Sequence, residues 1–167
     1  MAAVGDLLSF PIGRRRGLRR ATSAAAWYEL GCGLEDSDPR GAAAAYEHAL
    51  TGNPNLADAW NNLGRMAHES ASLPIAESCY RLAICADATV GLYWFNLGVS
   101  VEDQGRHAEA IAAYERAIEL EPGLADAYFN LARLLELIAR RAGDELMLRR
   151  AVRHLLSYRK LAVSTGT

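Results

Sequence analysis

Lysine is all but missing from this chain: Lys160 is the only one among 18 basic residues, a bias of the kind that GC-rich coding leaves. Proline is scarce too, five residues in 167, while alanine is abundant; the combination favours helix, because proline breaks helix interiors and alanine is the best helix former. The three cysteines, Cys32, Cys79 and Cys85, make an odd count without framework spacing. Cys79 and Cys85 fall six residues apart on one expected helix, about 9 Å along its axis, which excludes a bridge without unwinding. Reduced thiols suit a cytoplasmic chain. No run of about 18 apolar residues occurs, so no membrane span is expected. Apolar residues precede the arginines near the start, the reverse of a secretory signal. His48, His68, His107 and His154 are scattered, and no His–Cys spacing suits zinc. A glycine-rich phosphate loop and a serine elbow are both missing. These absences point away from an enzyme and leave no metal or cofactor to expect.

With 51% apolar residues and a net charge of −2, the composition is that of a folded domain. The near-neutral total hides a split. Residues 1–22 carry five arginines against Asp6, and residues 57–138 carry five against twelve acids. Residues 140–160 carry seven Arg or Lys against Asp144 and Glu145. Basic ends around an acidic middle suit either solvated faces or contact with acidic surfaces.

The chain repeats itself. Trp60, Asn62, Leu63 and Gly64 recur as Trp94, Asn96, Leu97 and Gly98, and Ala76, Tyr80 and Ala83 as Ala110, Tyr114 and Ala117, always 34 residues on. The same step reaches Tyr128, Asn130, Leu131 and Ala132. Backwards, Trp27, Leu30 and Gly31 stand 33 residues before their counterparts, whereas Tyr46, Ala49 and Pro54 stand 34 before theirs. The first copy is therefore one residue short between its halves. Apolar residues within a copy recur at helical spacing, as in Trp94, Leu97, Gly98 and Val101. Gly31, Gly64 and Gly98 leave room for close approach, and the tyrosine of the second half fills it.

An aromatic, then Leu-Gly, then Ala, Tyr, Ala and often Pro at a 34-residue period resembles the tetratricopeptide-repeat (TPR) signature over residues 24–162. The resemblance implies an all-α, right-handed α-solenoid of about four stacked antiparallel helix pairs. We expect a basic segment over residues 1–22, a repeat domain over 23–163 and a tail over 164–167. The repeats fall near 24–56, 57–90, 91–124 and 125–162. Helices are expected over 23–36, 39–51, 57–70, 73–87, 91–104, 107–120, 125–142 and 144–162. Ser37-Asp38-Pro39 and Ser72 with Pro74 read as helix starts, Gly105 and Glu121-Pro122-Gly123 as stops. The last copy departs from the pattern: Ala110, Ile111, Ala117 and Leu120 find their counterparts 41 residues on, as Ala151, Val152, Tyr158 and Leu161. Both its helices are expected to be longer, with Arg149, Arg150, Arg153, Arg159 and Lys160 supplying the polar outer face that a terminal repeat needs.

In this family the first helix of each pair lines the concave face, which binds protein or peptide. The expected groove residues are Tyr28 and Cys32; Asn61, Asn62, Arg65 and Glu69; Phe95, Asn96, Val99 and Asp103; and Phe129, Asn130, Arg133 and Leu137. Asn62, Asn96 and Asn130 would align as a ladder able to pair with an extended backbone. Local helix packing is the competing account of that column. Some family members clamp a C-terminal carboxylate with Lys/Asn/Asn/Lys/Arg. Here the first three repeats place Tyr28, Cys32, Asn62, Val99 and Asp103 at those positions, and the next frame places Asn61, Arg65, Asn96, Arg133 and Leu137. Only the second frame has arginines that would pair with an acidic ligand, and Phe95 and Phe129 would add apolar anchors.

The run from Phe95 to Val99, then Glu102-Asp103-Gln104-Gly105-Arg106, with His154-Leu155-Leu156 before Tyr158-Arg159, is similar to TPR portions of bacterial MerR-type regulators. A helix-turn-helix has no room before Trp27. Three readings follow: a cytoplasmic, bacterial adaptor holding a protein segment in its groove; an accessory transcription regulator whose arginine-rich ends contact nucleic acid or a regulator; and a homo-oligomeric unit.

Overall fold

The computed structural model describes residues 23–164, which form eight helices and no strand. These are α1 (Ala24–Leu34), α2 (Pro39–Gly52), α3 (Ala57–Glu69), α4 (Leu73–Ala86), α5 (Gly91–Asp103), α6 (His107–Leu120), α7 (Ala125–Ala142) and α8 (Glu145–Ser164). Every boundary lies within two residues of its expected place. Consecutive helices pack as pairs, α1 on α2 through α7 on α8, and the pairs stack through α2 on α3, α4 on α5 and α6 on α7. The first helices also approach one another, α3 touching α5.

Inside each of the first three pairs a glycine faces a tyrosine ring. A Cβ on Gly31, Gly64 or Gly98 would lie 2.6 Å from Tyr46, 2.7 Å from Tyr80 or 2.6 Å from Tyr114, closer than any side chain tolerates. The fourth pair has Ala132 in the glycine's place, and no tyrosine stands at the matching point of α8. The first-helix tryptophans tie each pair to the preceding loop: Trp60 Nε1 donates to the Pro54 carbonyl at 2.8 Å and Trp94 Nε1 to that of Ala88 at 3.1 Å.

The turns explain the missing residue of the first repeat. At the ends of α3, α5 and α7 the chain closes with a bond across five residues, Ser72 N–H to Ala67, Arg106 N–H to Val101 and Asp144 N–H to Ala139. Each closure places one residue in the left-handed region: Ala71 (φ 57°), Gly105 (φ 76°) and Gly143 (φ 68°). After α1 the Asp38 N–H reaches back four residues, to Leu34. The residue lost from the 34-residue period is the left-handed one. Two starts differ from expectation. Ser72 stands at the head of α4 but makes no side-chain cap bond, its own N–H being spent on the closure. Ser23 caps α1 instead, accepting from Ala26 N–H at 3.1 Å.

The core divides in two. One cluster joins Ala42, Tyr46 and Leu50 of α2 to Ala59 and Leu63 of α3 and to Cys79 of α4. The other runs from Tyr80 through Leu97, Tyr114, Leu131, Leu134 and Leu135 to Ala151 of α8. As expected, α7 and α8 are long, 18 and 20 residues against 13 and 14 in the pair before. The outer face of α8 corrects the sequence reading. Alongside its arginines it exposes Val152 (52%), Leu155 (40%) and Leu156 (52%). The histidines are scattered over the helices, as the sequence reads. Only His48 is exposed, its ring 4.5 Å from that of Trp27; the other three are half-buried.

Candidate functional site

The site is assembled from the first helices α1, α3, α5 and α7, because 34-residue spacing returns the same helical face in every pair. Two chains of hydrogen bonds cross it. Tyr46 Oη donates to Glu35 Oε1 at 2.6 Å, and Glu35 Oε2 holds Arg65 Nη2 of the next pair at 2.5 Å. Two repeats further on, Tyr114 Oη donates to Glu102 Oε2 at 2.8 Å and Glu102 Oε1 accepts from Arg133. Burial first, and then donation to a carboxylate, pushes both phenols above the ordinary tyrosine range. Charge-assisted bonds of this kind are stronger than neutral ones. In the intervening repeat His68 replaces the glutamate and Val99 the arginine. His68 Nε2 instead lies 2.8 Å from Asp103 Oδ2 of the following pair.

The three asparagines share one direction: each reaches back toward the preceding pair. Asn62 Nδ2 donates to Tyr46 Oη at 3.1 Å and Asn96 Nδ2 to Asn61 Oδ1 at 2.8 Å, while Asn130 stands by the Tyr114 phenol of the pair before it and opposes the rise in its pKa. An amide has two N–H groups and a carbonyl oxygen, so these bonds use only part of its capacity. Asn61 is itself 7% exposed and acts as a strut between α3 and α5.

The remaining expected residues divide by burial. Tyr28 is half-buried, its ring 5.7 Å from that of Tyr46, and burial followed by contact with Cys32 raises its phenol to about 12. Phe95 and Val99 pack against the larger core cluster, Phe95 with its ring 5.9 Å from Tyr114. Phe129 is 43% exposed and flanks Tyr158 at 5.3 Å. Arg65 and Arg133 are committed: Arg65 meets Glu35 and Glu69, and Arg133 meets Glu102. Glu29, Glu69 and Asp103 are exposed on the same helices and Asp36 in the turn after α1, so carboxylates outnumber free cations on these elements.

Sequence reading overlooked Glu35 and Glu102, which connect tyrosine to arginine. Their signal was available, because they hold the same place in the first and third repeats, as Arg65 and Arg133 do in the second and fourth. The basic segment over residues 1–22, with its five arginines, lies outside the described residues. Between α4, α5 and α6 a cavity of about 190 Å³ is lined by Trp94, Leu97, Val101 and Ala113, with Arg81 and Glu109 at its edge. Among the described residues no group of three or more His, Cys, Asp or Glu is placed to hold a metal ion, and no helix is long and apolar enough to cross a membrane.

Comparison with known proteins agrees with this geometry. A sequence model described as tetratricopeptide repeat matches residues 34–89, and another described as TPR repeat matches residues 102–137. The peroxisomal targeting signal receptor of Candida glabrata is 33% identical over 70 residues, which is 42% of this chain and 12% of the receptor. The chain thus spans a small part of the length of the curated relatives it matches. A crystal structure of MamA superposes with a TM-score of 0.75 at 19% identity, covering 89% of this chain and 84% of MamA. The first TPR of Spaghetti (RPAP3), solved bound to the HSP90 peptide SRMEEVD, superposes with a TM-score of 0.67 at 21% identity, covering 71% and 95%. At these identities the structural likeness shows the fold.

Proposed function

Because the chain belongs to the tetratricopeptide-repeat family, we propose that it is a protein-interaction scaffold holding an extended segment of a partner against its first helices. The observation that carries this reading is the column of Asn62, Asn96 and Asn130 at 34-residue spacing, in which Asn62 and Asn96 each spend one N–H on the preceding pair and keep hydrogen-bonding capacity to spare. An extended peptide repeats its own N–H and C=O groups, and a regular row of amides matches them whatever the side chains are. Tyr28 and Asn61 border that row on one side, Arg65, Val99 and Arg133 on the other. Phe95 and Phe129 supply apolar surface, Phe129 the more open of the two. Arg65 and Arg133 hold the groove's shape through Glu35 and Glu102. An acidic tail would have to break those pairs to reach them, so the partner is held chiefly through its backbone. A cytoplasmic, bacterial setting belongs to the same proposal.

The test is affinity capture from the native organism, read by mass spectrometry. Partners retained by the full chain should disappear with Asn96→Ala combined with Asn130→Ala, and should survive removal of residues 1–22. Unchanged capture by the double variant would refute the groove.

The second reading, an accessory regulator similar to the repeat portions of MerR-type proteins, is favoured by the exposed Arg153, Arg159 and Lys160 of α8. It requires salt-dependent retention on DNA. That retention should be lost when the arginines of residues 14–20 or those of α8 are replaced.

A further inference from the structure

We infer that the outer face of α8 is a second docking surface, separate from the groove, and that it receives an amphipathic helix flanked by carboxylates. Leu148, Val152, Leu155, Leu156 and Val163 form one helical stripe and are 36–74% exposed. Their places are informative. By the 41-residue offset of the last repeat, Val152 corresponds to Ile111 and Arg159 to Ile118 of α6. Both isoleucines are partly buried against the core that α7 completes. The last pair therefore presents a stacking face at the place where the pair before it does, apolar at Val152 but cationic at Arg159, and no described residue covers it. Contiguous apolar patches of this kind mark interaction sites.

The charge around the stripe selects the occupant. Every junction inside the solenoid joins opposite charges, in the following cases a carboxylate on one pair and a cation on the next. Arg65 meets Glu35, Arg106 meets Glu77, Arg133 meets Glu102, and Arg150 meets Glu115. On α8 the cations in and beside the stripe are Arg149, Arg153, Arg159 and Lys160, all exposed, and among the described residues only Arg149 approaches a carboxylate, Glu145 at 4.0 Å. A helix that completes this junction brings carboxylates. A second copy fits badly in both available ways. Pairing α8 with α8 sets arginine against arginine, and docking α1 offers no exposed large apolar residue, since none lies on α1 or α2. The chain's own residues 1–22 carry five arginines and have the wrong sign.

The probe is a fluorescein-labelled, 18-residue synthetic amphipathic helix with a leucine face and glutamate flanks, titrated into the full chain and followed by anisotropy. Its twin has lysine flanks. The glutamate peptide should bind at least tenfold more tightly than the twin. Leu156→Glu should weaken it at least tenfold, and Arg153→Glu several-fold. Asn96→Ala, which tests the groove, should leave it unchanged. Leu156 and Arg153 are both exposed, and circular dichroism confirms that each variant folds. Equal affinity for the two peptides, no saturable binding, or binding indifferent to Leu156→Glu would overturn the proposal. Self-association in sedimentation that Leu156→Glu abolishes would also overturn it, by making the occupant a second copy.

Discussion

Glu47 on α2 keeps one carboxylate oxygen away from water with no hydrogen-bond partner, and burial raises its pKa above the ordinary 4.5. The same carboxylate, after burial itself, helps push the Cys79 thiol to about 11. Folding thus shifts Glu47 toward its protonated form relative to the unfolded chain. Between 4.5 and the raised folded value the native chain binds more protons than the unfolded one, so this group's effect on stability worsens as pH rises through that window. Glu47→Gln should raise stability at pH 7 by about 0.5–1 kcal/mol, since a neutral amide is cheaper to shelter than a charge. The gain should shrink toward zero near pH 4, as read by urea melts at both values. Other single residues were legible without coordinates. Gly98 opposite Tyr114 follows from helical spacing and the small-large pairing across a hairpin. Glu102 left only its recurrence with Glu35 in the sequence, and its role shows once a tyrosine from another helix donates to it.

At the level of the element, the helices were readable to within two residues, because heptad-like apolar spacing and the loop residues agree. The turns hold the finer detail. Ala71 and Gly105 occupy the same left-handed position in successive repeats, but only glycine takes that conformation freely. Ala71→Gly should stabilise the chain by about 0.5 kcal/mol, the relief of strain exceeding the added unfolded-state freedom. Gly105→Ala should destabilise it by a similar or larger amount, and thermal melts of the two variants should move in opposite directions. The 33-residue first repeat follows the same rule: with one residue fewer, the turn after α1 closes on Leu34 without any left-handed residue. The sequence reading placed the shortage between the two helices but not at a position within the turn, since a deletion there leaves no mark on either apolar face.

Among the described residues, the extensive helix contacts lie within a pair or between neighbouring pairs, as a one-dimensional array requires. The two core clusters make its stability uneven. Leu134 is fully buried in the cluster that extends from α4 to α8. Leu134→Ala should cost about 2–5 kcal/mol. Hydrogen exchange should show the loss concentrated in α5 to α8, with α2 and α3, which belong to the other cluster, retaining more protection. Uniform loss along the chain would show that the clusters unfold as one.

The repeat period, the helix count, the Gly–Tyr packing and the row of asparagines were all determined by sequence, because each depends on spacing along one chain and spacing survives without coordinates. Tertiary structure alone decided what those side chains are free to do. Arg65 and Arg133, cations on paper, are neutralised by Glu35 and Glu102 from the preceding pairs. The last helix, which reads as a polar cap, turns a leucine stripe outward. Both outcomes depend on which helix lies beside which, and partners in different repeats meet only after the chain has stacked.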